Sequence, residues 1–204
     1  MKKSRLFMCV LVALSAVGCG SQTTQTESIT VISERLSKER PETSTALSTT
    51  TVSVVPETLH KIAFLGDVSC AASKRRADRC ADEDVRDMIA EWGPERVVIV
   101  GDVQYPSHGM RDYTESFLPT WGAFRSITKA VPGNHEYEMS QASGYYEAWG
   151  ADAGMWSERI GEWLLVGINT SDGCGVVKCD VGSEQYNWLA QQIQNTECVV
   201  VFGH

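Results

Sequence analysis

The chain is 204 residues long, enough for one domain of ordinary size plus a tail. Its 18 Lys and Arg stand against 26 Asp and Glu, a formal net charge of −8. Phosphate backbones are held mainly by Lys and Arg, and no long basic run follows the N-terminus, so the balance argues against a nucleic-acid partner.

The chain opens on Lys2, Lys3 and Arg5, followed by an apolar stretch over 6–17 that is short for a bilayer span. Ser15-Ala16-Val17-Gly18-Cys19 then places small residues before a cysteine, the pattern of a bacterial lipobox. Residues 1–19 are therefore expected to be a lipoprotein signal peptide with Cys19 as the lipidated residue. Ordinary signal cleavage is the alternative. Either way the mature chain is exported; on the lipobox reading it is a periplasmic or cell-surface protein held to a bacterial membrane only through its lipid. Residues 20–58 are rich in Thr, Ser and Glu with little apolar periodicity, and read as a flexible linker. In an oxidising compartment disulfides form. Cys70 with Cys80, and Cys174 with Cys179, are close enough to close small loops, although connectivity is not fixed by sequence. Cys198 is left over and reads as a buried free thiol.

The folded domain is expected over 59–204. A first strand over 61–65 ends at Gly66-Asp67. Val85, Met88, Ile89 and Trp92 then recur on one face of an amphipathic helix, with Asp82 as its cap and Gly93-Pro94 as its stop. A second strand over 96–100 ends at Gly101-Asp102, and the βαβ order makes the two strands parallel. Tyr113, Phe117, Leu118, Trp121 and Phe124 predict a further helix, broken near Pro119. A third strand over 127–131 runs into Pro132-Gly133-Asn134-His135-Glu136. Residues 138–154 read as an irregular excursion with a short helix, in which Tyr145, Tyr146 and Trp149 serve as core. A hairpin follows, with strands over 155–160 and 163–169. Ser183 opens a last helix, and a strand over 198–202 delivers Gly203-His204.

Three apolar strands thus end in Gly followed by an oxygen-bearing side chain, at the sheet edge where open α/β sheets place their ligands. Asp67, Asp102, Asn134 and His204 form a mixed oxygen and nitrogen set suited to hard or borderline metals. Two such ions clamp the oxygens of an in-line phosphoryl displacement and generate a hydroxide nucleophile. His135 is placed to protonate the leaving oxygen, and Glu136 to orient that imidazole. His60 lies at the opposite end of its strand, and His108 reads as a solvated loop residue.

Gly66-Asp67, Gly101-Asp102-Val103-Gln104-Tyr105, Gly133-Asn134-His135-Glu136 and a strand ending in one His resemble, in that order, the calcineurin-like metallophosphoesterases. Tyr105 narrows the resemblance to the purple-acid-phosphatase-like branch. Ser69 stands where many members of the wider family carry a metal-binding His. The resemblance implies an α/β four-layer αββα sandwich of two mixed sheets. It also implies Asp67 and Tyr105 on a first metal, Asp102 bridging, and Asn134 with His204 on a second. His135 would be general acid or transition-state stabiliser. A phenolate ligand implies Fe(III) beside a divalent Fe, Zn or Mn. The implied reaction is hydrolysis of small-molecule phosphate monoesters by a metal-bound hydroxide. The alternatives are a phosphodiesterase on the same site and a non-catalytic, lipid-anchored binding protein. The family's closing Gly-His-x-His motif does not occur in these residues. The helix with Gln185, Trp188 and Leu189 resembles the one that precedes the family's single-His motif, so His204 is assigned to that motif. The domain is accordingly expected to be incomplete at its C-terminus, with weak metal binding and poor turnover by residues 1–204 alone.

Overall fold

The structure is a computed structural model that describes residues 12–16, as backbone, and 59–70, 80–105 and 109–204. Cys19, the linker over 20–58 and His108 lie outside the described residues.

Strand β2 (His60–Leu65) alternates its side chains across the sheet, as the two-residue period of a strand requires. Ala63 and Leu65 pack on one face with Val97 and Ile99. Ile62 and Phe64 pack on the other with Val98 and Val131. Strands β3 (Arg96–Val100) and β4 (Thr128–Val131) follow β2 in parallel, and β1 (Val12–Ala16) lies antiparallel along the outer edge of β2. The run read as part of a leader is thus paired here, on an edge whose backbone groups would otherwise have no strand partner.

Helix Asp82–Trp92 carries the β2–β3 crossover and buries Ile89. It stops at left-handed Gly93, whose N–H returns to the Ile89 carbonyl at 3.0 Å. Asp82 is not the cap expected from sequence but the first helical residue, and its buried carboxylate lies 3.5 Å from the Cys70 N–H. The next helix is not broken at Pro119. It runs from Met110–Asp112 through a π turn, Tyr113–Phe117, into Leu118–Trp121. Pro119 follows directly on that π turn, whose altered hydrogen-bond register lets the helix continue past a residue without an N–H. Tyr113, Phe117 and Trp121 are buried against the outer face of the β2–β4 sheet.

Strands β5 (Trp156–Ile160) and β6 (Trp163–Gly167) form the expected hairpin, and β7 (Val199–Phe202) pairs with β6 in parallel. Trp156, Ile160 and Leu165 close the second core against Ile62, Phe64, Val98 and Val131. Trp156 also donates its indole N–H across the sheets to the Ala130 carbonyl at 2.7 Å. The result is two mixed sheets face to face with helices outside. Every parallel strand ends at one edge, which is where the candidate ligands collect.

Cys70 is bonded to Cys80, and Cys174 to Cys179. Cys198, read from the sequence as a free thiol, is disulfide-bonded as well. Helix Glu184–Ile193 is capped by Ser183, whose hydroxyl accepts from the Tyr186 N–H at 3.2 Å. Ser183→Ala is expected to cost about 1 kcal/mol, the usual worth of such a cap, with an unchanged m-value in urea unfolding.

Candidate metal centre

The loops after β2 and β3 are zipped together before any ligand is placed. Val68 N–H donates to the Asp102 carbonyl and Ser69 N–H to the Val103 carbonyl, both at 3.1 Å, and Tyr105 N–H returns to the Ser69 carbonyl at 2.8 Å. Asp67 and Asp102 each take a left-handed backbone, with φ of 54° and 51°. Among residues other than Gly, Asp and Asn tolerate this region best. The carboxylates are thereby turned back over the ends of their own strands.

A third loop is fastened by Glu136, which is fully buried. Its Oε2 accepts from Asp102 N–H at 3.0 Å and Gly133 N–H at 2.7 Å, and its Oε1 accepts from Val103 N–H at 2.8 Å. The expectation that Glu136 orients His135 is therefore corrected: its carboxylate is committed to three backbone donors that hold the β3 and β4 loops in register. The carboxylate beside the imidazole is Glu138, with Oε1 2.9 Å from His135 Nδ1. The sequence carries that signal as an i, i+3 pair, which a short helical turn brings together.

Tyr105 Oη donates to Asp67 Oδ1 at 2.6 Å and also hydrogen-bonds Asp102 Oδ2. Burial first, then the two hydrogen bonds and the two negative charges, push its phenol well above the usual tyrosine range. Asp102 is buried and works in several directions. Its Oδ1 accepts from His135 N–H at 3.2 Å and stands 3.5 Å from His204 Nε2, while Oδ2 is 3.9 Å from His135 Nε2. The His135 and Tyr105 rings lie 4.7 Å apart, centre to centre.

His204 reaches the cluster from the second sheet. Its Nδ1 lies 2.9 Å from the Val100 carbonyl, which can only accept, so Nδ1 carries the proton. In the neutral ring this leaves Nε2 with a lone pair toward Asn134 Oδ1, 2.9 Å away. Two glycines make room. A Cβ on Gly101, whose φ is 88°, would meet His204 Nδ1 at 2.5 Å, and one on Gly133 would meet Asp102 Oδ1 at 2.1 Å. Gly101→Ala is expected to push the imidazole out of line and lower metal affinity by about tenfold or more, the scale seen when a ligand's support is lost. Metal titration followed by calorimetry checks this.

A model of the calcineurin-like phosphoesterase family matches residues 60–204. The chain belongs to the calcineurin-like phosphoesterases. No curated protein matches the chain. Members of this family hydrolyse phosphoesters with a dinuclear metal centre.

The residues present fit such a centre. Asp67, Asp102, Tyr105, Asn134 and His204, named from the sequence, converge in the structure. His204 Nε2 and Asn134 Oδ1 face each other as two acceptors, an arrangement that a shared cation satisfies. Their 2.9 Å separation is that of adjacent donors on one octahedral ion, roughly 3 Å apart. The Val100 carbonyl fixes the His204 tautomer as outer partners of metal-bound imidazoles do. Around Asp67, Asp102 and Tyr105, a phenolic proton sits between two carboxylates, where a hard cation would replace it. Ser69 Oγ is buried with no hydrogen-bond partner among the described residues. His60 pairs with Glu95 at 2.7 Å at the far end of β2, clear of the site.

Proposed function

We propose that this calcineurin-like phosphoesterase hydrolyses small-molecule phosphate monoesters in the manner of the purple-acid-phosphatase-like branch. The observation that carries the reading is Tyr105 Oη, hydrogen-bonded to both Asp67 and Asp102. A phenolate at that position is a hard anionic donor and favours Fe(III), with a divalent Fe, Zn or Mn as its neighbour.

Asp67 and Tyr105 would hold one ion and Asn134 and His204 the other, with the Asp102 carboxylate available to both. When bound, the pair supplies Lewis acidity toward the phosphoryl oxygens and the attacking water. The protein's own part is alignment and proton supply. His135 is half-buried, with Glu138 against Nδ1 and Nε2 directed to the Asp102 side of the ring. It stands ready to pass a proton to the departing alkoxide. The Asp102 carboxylate also accepts from the His135 backbone N–H, which couples the proton donor's position to the metal-binding carboxylate.

The exported, lipid-tethered state belongs to the same proposal. Its support is the basic start, apolar run and Cys19 of the leader, together with the disulfides Cys70–Cys80 and Cys174–Cys179, which suit an oxidising compartment. Among the described residues no helix is long and apolar enough to cross a membrane.

The deciding assay compares p-nitrophenyl phosphate with bis-p-nitrophenyl phosphate, using full-length protein loaded with iron and zinc. The monoester is expected to have the higher kcat/KM. A preference for the diester would move the assignment to a phosphodiesterase, and no turnover of either ester would overturn it.

A further inference from the structure

At the sheet end that carries the candidate ligands lies a cavity of about 400 Å³, whose lining includes none of those ligands. It is lined by Tyr146, Met155, Val177 and Trp188, with Asn169 at its floor and Asp152 at its mouth. Tyr146 was read from the sequence as core. It packs against the first core, beside Tyr145, and also lines this cavity, where its hydroxyl meets that of Tyr137 at 3.1 Å.

Two links tie the cavity to the reacting groups. Asn169 Nδ2 donates to Tyr137 Oη at 2.7 Å, and Tyr137 lies in the short helical turn that follows His135. The neighbouring Thr170 hydroxyl donates to the His204 carbonyl at 2.8 Å. The floor of the cavity thus touches the segments that carry the proton donor and a metal-binding imidazole.

The walls are fixed in place. Gln185 exchanges two hydrogen bonds with the Asn169 backbone, at 2.7 Å and 3.0 Å. Its Nε2 also lies 3.3 Å from Cys179 Sγ, so helix Glu184–Ile193 grips the Cys174–Cys179 loop that carries Val177. A Cβ on Gly154 would come within 2.6 Å of Tyr146 Oη, so a glycine there lets the phenol stand upright in the wall. A cavity of this size, with a mixed lining that is more apolar than polar, falls in the size range of small-molecule sites.

We infer that this cavity is the subsite for the alcohol half of the ester, and that it takes an aromatic group that is neutral or positively charged. The inference rests on the phosphoesterase reading above. Two aromatic rings, a thioether and an isopropyl group suit a flat ring, which gains by offset stacking or edge contact. Asp152 is the one charged side chain among the described residues lining the cavity, and no Lys or Arg joins it. Burial and the Tyr137 hydroxyl push the Tyr146 phenol up, so it remains a neutral donor. An alcohol bearing an ammonium group would meet Asp152, whereas one bearing a second phosphate or a carboxylate would meet only repulsion there. The favoured substrates are therefore phosphate esters of phenols and arylalkyl alcohols, above all those with an amine. Esters of polyanionic alcohols are disfavoured.

Binding of tyramine to the full-length protein, measured by isothermal titration, tests the cavity without any hydrolysis. Saturable binding is expected. Trp188→Ala should weaken it by about tenfold, the scale of a lost aromatic contact. Asp152→Asn, at an exposed position that leaves the fold alone, should lower the preference for tyramine over neutral 4-ethylphenol. In parallel, kcat/KM for O-phosphotyramine relative to glycerol 2-phosphate should fall in both variants. Tyramine binding indifferent to both substitutions, or no saturable binding in an active enzyme, overturns the subsite. Binding that depends on Trp188 in a protein that hydrolyses no phosphate ester keeps the cavity as a ligand site but overturns the reading that makes it an alcohol subsite.

Discussion

Asp102→Asn is expected to lower turnover of p-nitrophenyl phosphate by about a hundredfold to a thousandfold, the scale on which a preorganised electrostatic group is lost. The expectation follows from how fully the carboxylate is used. Oδ1 faces the His135 backbone N–H and the His204 imidazole, while Oδ2 faces the Tyr105 hydroxyl and the His135 ring. An amide keeps one of these oxygens and replaces the other with N–H, which repels a donor and cannot hold a cation. It also removes the negative charge between the two candidate metal positions. Asn tolerates the left-handed backbone of Asp102 as well as Asp does, so the loop has no reason to move. The variant should thus bind fewer than two metal ions per chain by elemental analysis, with a near-UV spectrum and melting temperature close to those of the parent. Activity within tenfold of the parent would rule out Asp102 as the shared ligand.

The parts of the molecule visible in its sequence are those governed by short-range rules. Runs of alternating or continuous apolar residues marked β2, β3, β4 and the β5–β6 hairpin, and Gly-Asp or Gly-Asn after a strand marked the ligand edge. Ser183 announced its helix through a capping rule that acts over one turn. Most of what escaped depends on contacts distant in the chain, and the rest on irregular local geometry. Pro119 looks like a helix breaker, yet the preceding π turn changes the hydrogen-bond register and lets the helix continue. Cys198 looks unpaired because no nearby cysteine shows what it bonds to. Tyr146 packs against the core as its spacing with Tyr145 and Trp149 suggests, but the cavity it also lines needs Asn169 and Trp188, which come from other elements. Glu136 is the sharpest case. A carboxylate next to a candidate catalytic His invites a role in proton transfer, and nothing local reveals that its oxygens point to the backbone of another loop.

That difference yields the second large effect. Glu136→Gln is expected to destabilise the domain by about 2–3 kcal/mol, the range for a buried donor stripped of its acceptor and for a hydrogen bond to a charged group. The amide has one acceptor oxygen for three donors. If its NH₂ takes the Oε2 position, the N–H groups of both Asp102 and Gly133 lose their partner. If it takes the Oε1 position, only Val103 does. The second arrangement is the cheaper, so the variant folds in that way and still holds Gly133 against Asp102. Glu136→Ala leaves all three donors without this acceptor and is expected not to fold. The urea midpoint of Glu136→Gln should fall with an unchanged m-value. Its kcat should also fall, because the segment that presents Asp102 is anchored less firmly. The shape of its pH–rate profile separates the two roles this residue has been given. A carboxylate that tuned His135 would shift a limb of the profile when neutralised, since such limbs report the groups that exchange protons in the reaction. A staple for backbone N–H groups lowers the whole curve and leaves both limbs in place, and that is the expected result.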